Sequence, residues 1–160
     1  MSSPLTSTES SKGETVFGDY VLLERIGSGG MAEIFKARRS GPEGFQKTVV
    51  VKRILPAYIE NSSFVSMLIS EATVSAALHH SNVVQVYDLG EVDGLPFIAM
   101  EYVDGIDLLQ LLKECARQKV SLPLELVLFI CSEVAKGLDY AHHACNGDNQ
   151  PLHVIHRDVS

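Results

Sequence analysis

No stretch of this sequence is apolar over the roughly 18 to 20 residues that a membrane-spanning helix requires. The most apolar stretch, residues 122–131, is interrupted by Pro123 and Glu125. The N-terminus lacks the basic and apolar regions of a signal peptide. These absences predict a chain with no membrane segment and a cytoplasmic location, and they do not speak to a longer parent. Positive charge is also in short supply. Thirteen Lys and Arg against 20 Asp and Glu leave a net charge of −7. Neutralising a phosphate backbone needs the opposite balance, so nucleic acid is not expected as a partner. Cysteine is scarce: Cys115, Cys131 and Cys145 are odd in number and widely spaced, which speaks against a disulfide framework and for reduced thiols. No internal repeat is present.

What is present is enough for one ordinary domain. The 160 residues are 46% hydrophobic and 21% charged, the balance of a globular chain with a real core. Residues 1–15 (MSSPLTSTESSKGET) carry Leu5 as the only large apolar side chain besides Met1. Such a segment buries too little to offset its ordering entropy, which predicts a disordered tail.

From Phe17 the texture changes. Residues 20–26 (YVLLERI) and 33–37 (EIFKA) flank the turn Gly27-Ser28-Gly29-Gly30 and predict a hairpin. Residues 48–55 (TVVVKRIL) are β-branched and nearly continuous, the pattern of a buried central strand with one Lys in it. Asn61, Ser62 and Ser63 supply capping side chains for a helix running to about His79, with Phe64, Leu68, Ala72, Ser75 and Leu78 on one face. Residues 83–89 and 95–102 read as two further strands around a turn at 90–94. After Asp104-Gly105 the pattern is helical: a short helix over 108–117 and a long one over 123–143. The long one is apolar over much of its circumference at its start, so it is expected to be buried on most sides.

Three elements carry chemistry. Gly27-x-Gly29-x-x-Ala32-x-Ile34 lies on a strand–turn–strand. A dinucleotide fingerprint needs a helix after its glycines; a second strand instead fits a loop folded over nucleotide phosphates, where backbone must come close. The bland alternative is an ordinary glycine hairpin. Lys52 is the second element. A Lys inside an apolar strand must reach an anion or snorkel to water, because an unpaired buried ammonium is unfavourable. Glu71 on the following helix is its candidate partner; alone it would read as a solvated helical Glu. The third element is His156-Arg157-Asp158, after the short apolar pair Val154-Ile155.

Taken in order, these residues resemble the N-terminal part of a bacterial, eukaryotic-like (Hanks-type) serine/threonine protein kinase. The segments His80–Asp88 (HSNVVQVYD) and Met100-Glu101-Tyr102-Val103 fall at the matching places, and the resemblance covers about residues 17–160. It implies an α+β, protein-kinase-like fold: a five-stranded antiparallel N-lobe with one helix over residues 16–103, then the first helices of the C-lobe over 104–160. It implies ATP and Mg2+ as cofactors and a protein as the substrate. Ile26, Ile34 and Val50 would sandwich the adenine, with Met100 at the back of the pocket. The backbone of Glu101 and Val103 would bond its edge, and Asp107 would lie near the ribose. Gly27, Ser28, Gly29, Gly30, Met31 and Ala32 would cover the phosphates. Lys52, oriented by Glu71, would hold the α- and β-phosphates, and Asp158 would take the proton of the acceptor hydroxyl. Ala32 replaces the third glycine, and Ser160 stands where serine/threonine kinases usually have a Lys.

The chain carries neither the Asn expected beyond Asp158 nor the Asp-Phe-Gly that holds magnesium. The 160-residue chain itself is therefore expected to be inactive, with its metal ligands beyond its end. The rivals are a pseudokinase or regulatory ATP-binding module, and a small-molecule phosphotransferase, against which His-Arg-Asp argues. His142, His143, Cys145, His153 and His156 fit no standard zinc spacing, so no protein metal site is expected. Cys131, on an apolar helix face, reads as a core residue rather than a nucleophile.

Overall fold

The computed structural model describes residues 14–156 and residue 159. Its first part is an antiparallel sheet of six strands in the order β1-β2-β3-β4-β6-β5. The strands are β1 (Thr15–Phe17), β2 (Tyr20–Ser28), β3 (Ala32–Ser40), β4 (Gln46–Ile54), β5 (Val86–Val92) and β6 (Leu95–Glu101). Helix α1 (Ser62–Ala76) crosses over between β4 and β5, and α2 (Leu108–Gln118) and α3 (Leu124–His143) follow the sheet.

Register explains the two faces. Tyr20 lies opposite Arg39 and Leu22 opposite Ala37; Ala37 lies opposite Val49, and Val51 opposite Ala99. Side chains alternate along a strand, so these residues share one face. With Phe17 and Phe97, all of them but the exposed Arg39 form a buried core on that face. The sheet curls to close it. The Phe97 ring meets the edges of Phe17 and Tyr20, both at 5.4 Å between centroids. The turn between β1 and β2 comes so near β5 that a Cβ on Gly18, at φ +57°, would lie 2.8 Å from Val92.

The other face packs on α1. Ile54 and Ile98 meet Leu68 and Ala72, which lie one helical turn apart. Asn61 starts the helix: its Oδ1 accepts the Ser63 N–H at 3.1 Å. Leu78, just past the helix, belongs instead to a third cluster with Ala141 and Ala144 of the helical part. The segment between α1 and β5 fastens there. The His79 N–H donates to the Tyr140 hydroxyl at 3.0 Å, and the His80 ring stacks on Tyr140.

The sequence predicts the class and order of elements, with three corrections. The sheet has six strands, not five: Thr15, placed in the tail by composition, begins a short edge strand paired with Leu22. Its single buried side chain, Phe17, gives too weak a pattern to notice. Residues 1–13 of the expected tail lie outside the described residues. Second, β5 spans Val86–Val92, later than predicted, because Gly90 is not a turn residue. It sits in the strand under the Phe97 ring, where a Cβ would come within 2.9 Å. Third, α3 is largely exposed along its apolar start: Leu124, Leu128 and Phe129 face solvent, and only Gly137 and Ala141 are buried. Cys131 is likewise exposed rather than in a core.

Candidate active site

Lys52 sits in the middle strand of the α1 face, directly opposite Ile34 on one side and Ile98 on the other. Its partner comes from the helix. Leu68 and Ala72 anchor α1 to the sheet, and Glu71 lies between them. The Lys52 Nζ donates to both carboxylate oxygens of Glu71, at 2.6 and 2.7 Å. The Lys52 side chain is 24% exposed and that of Glu71 48%. The strand Lys thus neither snorkels nor stays unpaired, and its ammonium is held at the edge of an open recess.

That recess, about 200 Å³, is walled by Gly30, Met31, Lys52, Phe64, Met67 and Glu71. The turn above it is closed by the Gly29 N–H donating to the Ala32 carbonyl at 2.8 Å, with Ser28 opposite Glu33 and Gly27 opposite Ile34. The Leu55 N–H donates to the Met31 carbonyl at 3.0 Å, tying the turn to the end of β4. A Cβ added to Gly30 would meet nothing within 4 Å, and one on Gly29 only the Ala32 carbonyl at 3.9 Å. The protein's own packing therefore does not demand glycine at these positions. A ligand that brings phosphate oxygens against the backbone would.

Behind the recess an apolar strip continues to the end of β6. Val50 lies directly opposite Met100, diagonal to Ile34 on the same face. Ile26 is exposed beside a register shift in β2. Ile34, Val50 and Met100 thus share one face of the sheet, while Ile26 lies at the irregularity itself. At the end of the strip the Glu101 N–H donates to the Gln85 carbonyl at 2.8 Å, and the Gln85 N–H donates to the Glu101 carboxylate. Val103 is 63% exposed, and its backbone has no hydrogen-bond partner among the described residues. Its N–H is free to meet a ligand's edge.

One of the remaining motif residues has a structural role, and one lies outside the described residues. Asp107 is the N-cap of α2, its Oδ1 accepting the Gln110 N–H at 2.7 Å, so one carboxylate oxygen is already committed to the helix. Asp158 lies outside the described residues, as do Arg157 and Ser160. Their neighbours His156 and Val159 line a hollow with Ser75, Leu78, Asn82 and Ala141, behind the C-terminal end of α1. Among the described residues no group of three or more His, Cys, Asp or Glu side chains could hold a metal ion. The sequence reading also missed a contact. Lys36 Nζ donates to the Tyr102 hydroxyl at 3.2 Å and lies 4.3 Å from the ring centroid. It joins the glycine hairpin to the segment after β6, and neither residue type belongs to a motif that would have marked it.

Comparison with known proteins accords with this geometry. The protein kinase domain family matches residues 20–160. The tyrosine-protein kinase MasK of Myxococcus xanthus is 43% identical over 90% of this chain and 22% of its own length. The serine/threonine-protein kinase PknI of Mycobacterium tuberculosis is 35% identical over 90% of this chain and 22% of its own. A crystal structure of the M. tuberculosis PknI kinase domain superposes with a TM-score of 0.67 at 33% identity, covering 94% of this chain and 55% of that one. The chain thus spans about a fifth of these curated relatives and about half of the solved kinase domain. A glycine hairpin, a strand Lys and a helix Glu in one recess, within a match over residues 20–160, make this chain a member of the protein kinase domain family.

Proposed function

We propose that this chain binds ATP and forms the nucleotide-binding part of a protein kinase, which transfers the γ-phosphoryl group to a hydroxyl of a protein. The observation that carries the reading is the Lys52–Glu71 pair, at 2.6 and 2.7 Å, under a glycine turn that the fold itself does not require. The Glu71 carboxylate fixes the position of a cation that would otherwise be mobile. Lys52 then meets the α- and β-phosphates with little reorganisation, which is how preorganised charge lowers a barrier. The backbone of residues 27–32 covers the phosphates. Ile26, Ile34, Val50 and Met100 clasp the adenine, with Glu101 and Val103 at its edge.

In the transfer, a bond forms between the acceptor oxygen and the γ-phosphorus as the bond to the β–γ bridging oxygen breaks. ADP leaves, and the hydroxyl proton passes to the Asp158 carboxylate. Magnesium would supply neutralisation of the phosphate charge, and the described residues offer no ligand set for it. The 160-residue chain by itself would bind nucleotide without turning it over. The reaction draws on cytoplasmic ATP, and among the described residues no helix is long and apolar enough to cross a membrane.

Serine and threonine are the proposed acceptors. A second reading, tyrosine, is favoured by the 43% identical relative named as a tyrosine-protein kinase and by Ser160 at the usual Lys position. Incubating the full-length gene product with radiolabelled ATP, followed by phosphoamino-acid analysis, separates the two. Phosphoserine and phosphothreonine are expected, abolished by Asp158→Asn. Nucleotide binding without Asp158-dependent transfer would instead mark a regulatory ATP-binding module.

A further inference from the structure

Lys36 lies directly opposite Val50, and Val50 directly opposite Met100, so one row of the sheet holds all three on the face that carries Lys52. The next row holds Ile34, Lys52 and Ile98. In the sheet order β4 stands between β3 and β6, so no backbone ladder joins those two strands. A side chain does so instead. Lys36 Nζ, from β3, donates to the hydroxyl of Tyr102, the residue after β6, at 3.2 Å. The contact crosses two strand spacings, about 10 Å, which takes two long side chains. The apolar strip of Ile34, Val50 and Met100 thus has a Lys at each end. Lys52 is held there by Glu71, and Lys36 by Tyr102.

The two lysines differ in their partners. The Lys36 ammonium has no carboxylate at ion-pair distance among the described residues, although the chain's net charge is −7. Arg38, two positions further along β3, pairs with Glu14. Lys36 is partly buried and meets only the Tyr102 hydroxyl and ring, the ring centroid lying 4.3 Å from Nζ. Ordering a Lys in this way loses rotamer freedom, and the contact adds little stability in return. Its consequence is for placement. The two peptide units flanking the Tyr102 Cα carry the Glu101 carbonyl and the Val103 N–H, the groups assigned above to the base edge. The Val103 backbone has no other partner among the described residues. A fixed Tyr102 therefore fixes both groups.

We propose that Lys36 is a positioning residue for the purine base: through Tyr102 it holds the two peptide units that read the base edge, and so sets the preference for adenine over guanine nucleotides. The proposal rests on the ATP-binding reading above and extends it from the phosphates to the base. Adenine offers an amino donor and a ring-nitrogen acceptor, which match a carbonyl followed by an N–H. Guanine offers the reverse pair and sets its own carbonyl against that of Glu101. Rejection of guanine depends on the edge groups staying in place, because a displaced edge leaves no mismatch to penalise.

The test measures ATP and GTP affinities of the full-length gene product by displacement of a fluorescent ATP analogue. Lys36→Met is expected to weaken ATP about fivefold, as loss of a cation–π contact and a hydrogen bond to a charged group would give, and to leave GTP unchanged. Tyr102→Leu should do the same, and the double variant no more than either. Equal losses for the two nucleotides would overturn the proposal, because a loosened fold or a lost phosphate contact acts on both alike. So would an unchanged ATP affinity, or losses that add in the double variant. Should Lys36→Met fail to fold by circular dichroism, the ATP-to-GTP ratio of Tyr102→Leu decides alone. Lys52→Met serves as the control for the underlying reading and should weaken ATP and GTP alike. ATP binding indifferent to Lys52 would sink that reading; Lys52-dependent binding with the preference intact in Lys36→Met would sink this proposal alone.

Discussion

Gly137, in the middle of α3, lies against Asn82 so closely that a Cβ there would stand 3.0 Å from the Asn82 carbonyl oxygen and 3.3 Å from its Cβ. Asn82 in turn donates from Nδ2 to both the carbonyl and the carboxylate of Glu133, each at 2.8 Å. A mid-helix glycine is unfavourable by about 0.5–1 kcal/mol relative to alanine, so this one stands for a close approach rather than for flexibility. It is the contact by which the segment after α1 rides on the helical part. Gly137→Val is expected to destabilise the chain by about 1–3 kcal/mol, the range for overpacking a tight site. A lowered urea midpoint with an unchanged slope is the outcome to look for. An unchanged midpoint would mean that α3 and Asn82 are free to separate.

If the proposed function holds, Lys52 and Glu71 act as one unit in nucleotide binding, and their losses should not add. Glu71→Gln leaves the ammonium without its orienting charge; Lys52→Met removes the proposed phosphate contact itself. Each single change is expected to weaken ATP binding about tenfold, and the double change hardly more than Lys52→Met alone. Calorimetry on the three variants and the parent chain completes the cycle. Additive losses would show that the ion pair seen between β4 and α1 has no part in holding the ligand. The stability effect should be small, about 0.2–1 kcal/mol, because Glu71 is half exposed and solvent screens the pair.

The order of elements was legible because each carries its own local signal. Thr48 to Leu55 is β-branched, Asn61 caps a helix with periodic Leu68 and Ala72, and glycines punctuate the first hairpin. The Lys52–Glu71 pairing was legible too, since a lone Lys in a buried strand has to find an anion. What escaped depends on contacts between residues far apart. Gly90 reads as a turn until Phe97 is known to cover it. Lys36 carries no hint of Tyr102, 66 positions away, whereas Asp107 stands where a cap belongs, a signal passed over in favour of a ribose contact. The exposure of α3 was misread because an apolar helix states only that it has partners. Its sequence does not say whether they lie within this chain.

Tyr20 gives the fold an alkaline limit. Burial, and then its hydrogen bond to the Asp88 carboxylate, push its hydroxyl up to about 12 from an ordinary value of 10.0. The folded state therefore holds the proton more tightly than the unfolded chain. Its contribution is complete below pH 10 and is lost as pH rises through 10 to 12. The loss is at most about 3 kcal/mol for a two-unit difference. Tyr20→Phe, which cannot ionise, should lack this limb. Urea midpoints of parent and variant, taken at intervals from pH 8 to pH 12, should differ by a constant below pH 10 and converge above it. Parallel curves over the whole range would count against a buried, protonated Tyr20.

The exposed start of α3 sets how the isolated 160-residue chain behaves. Phe129 is 61% exposed, and Leu124 and Leu128 beside it also face solvent. Each large apolar side chain left in water forgoes about 1.5–3 kcal/mol of burial, and a contiguous exposed patch of this kind promotes association. The sheet and α1 bury their own apolar faces in two clusters, whereas α3 buries little besides Gly137 and Ala141. Hydrogen exchange should therefore be slow across β2 to β6 and fast in α2 and the first half of α3. Phe129→Lys should raise the soluble, monomeric fraction in sedimentation while moving the urea midpoint by less than about 0.5 kcal/mol, as for other surface changes. A large loss of stability in that variant, or equal protection of sheet and helices in a monomer, would mean that Phe129 is buried within the chain after all.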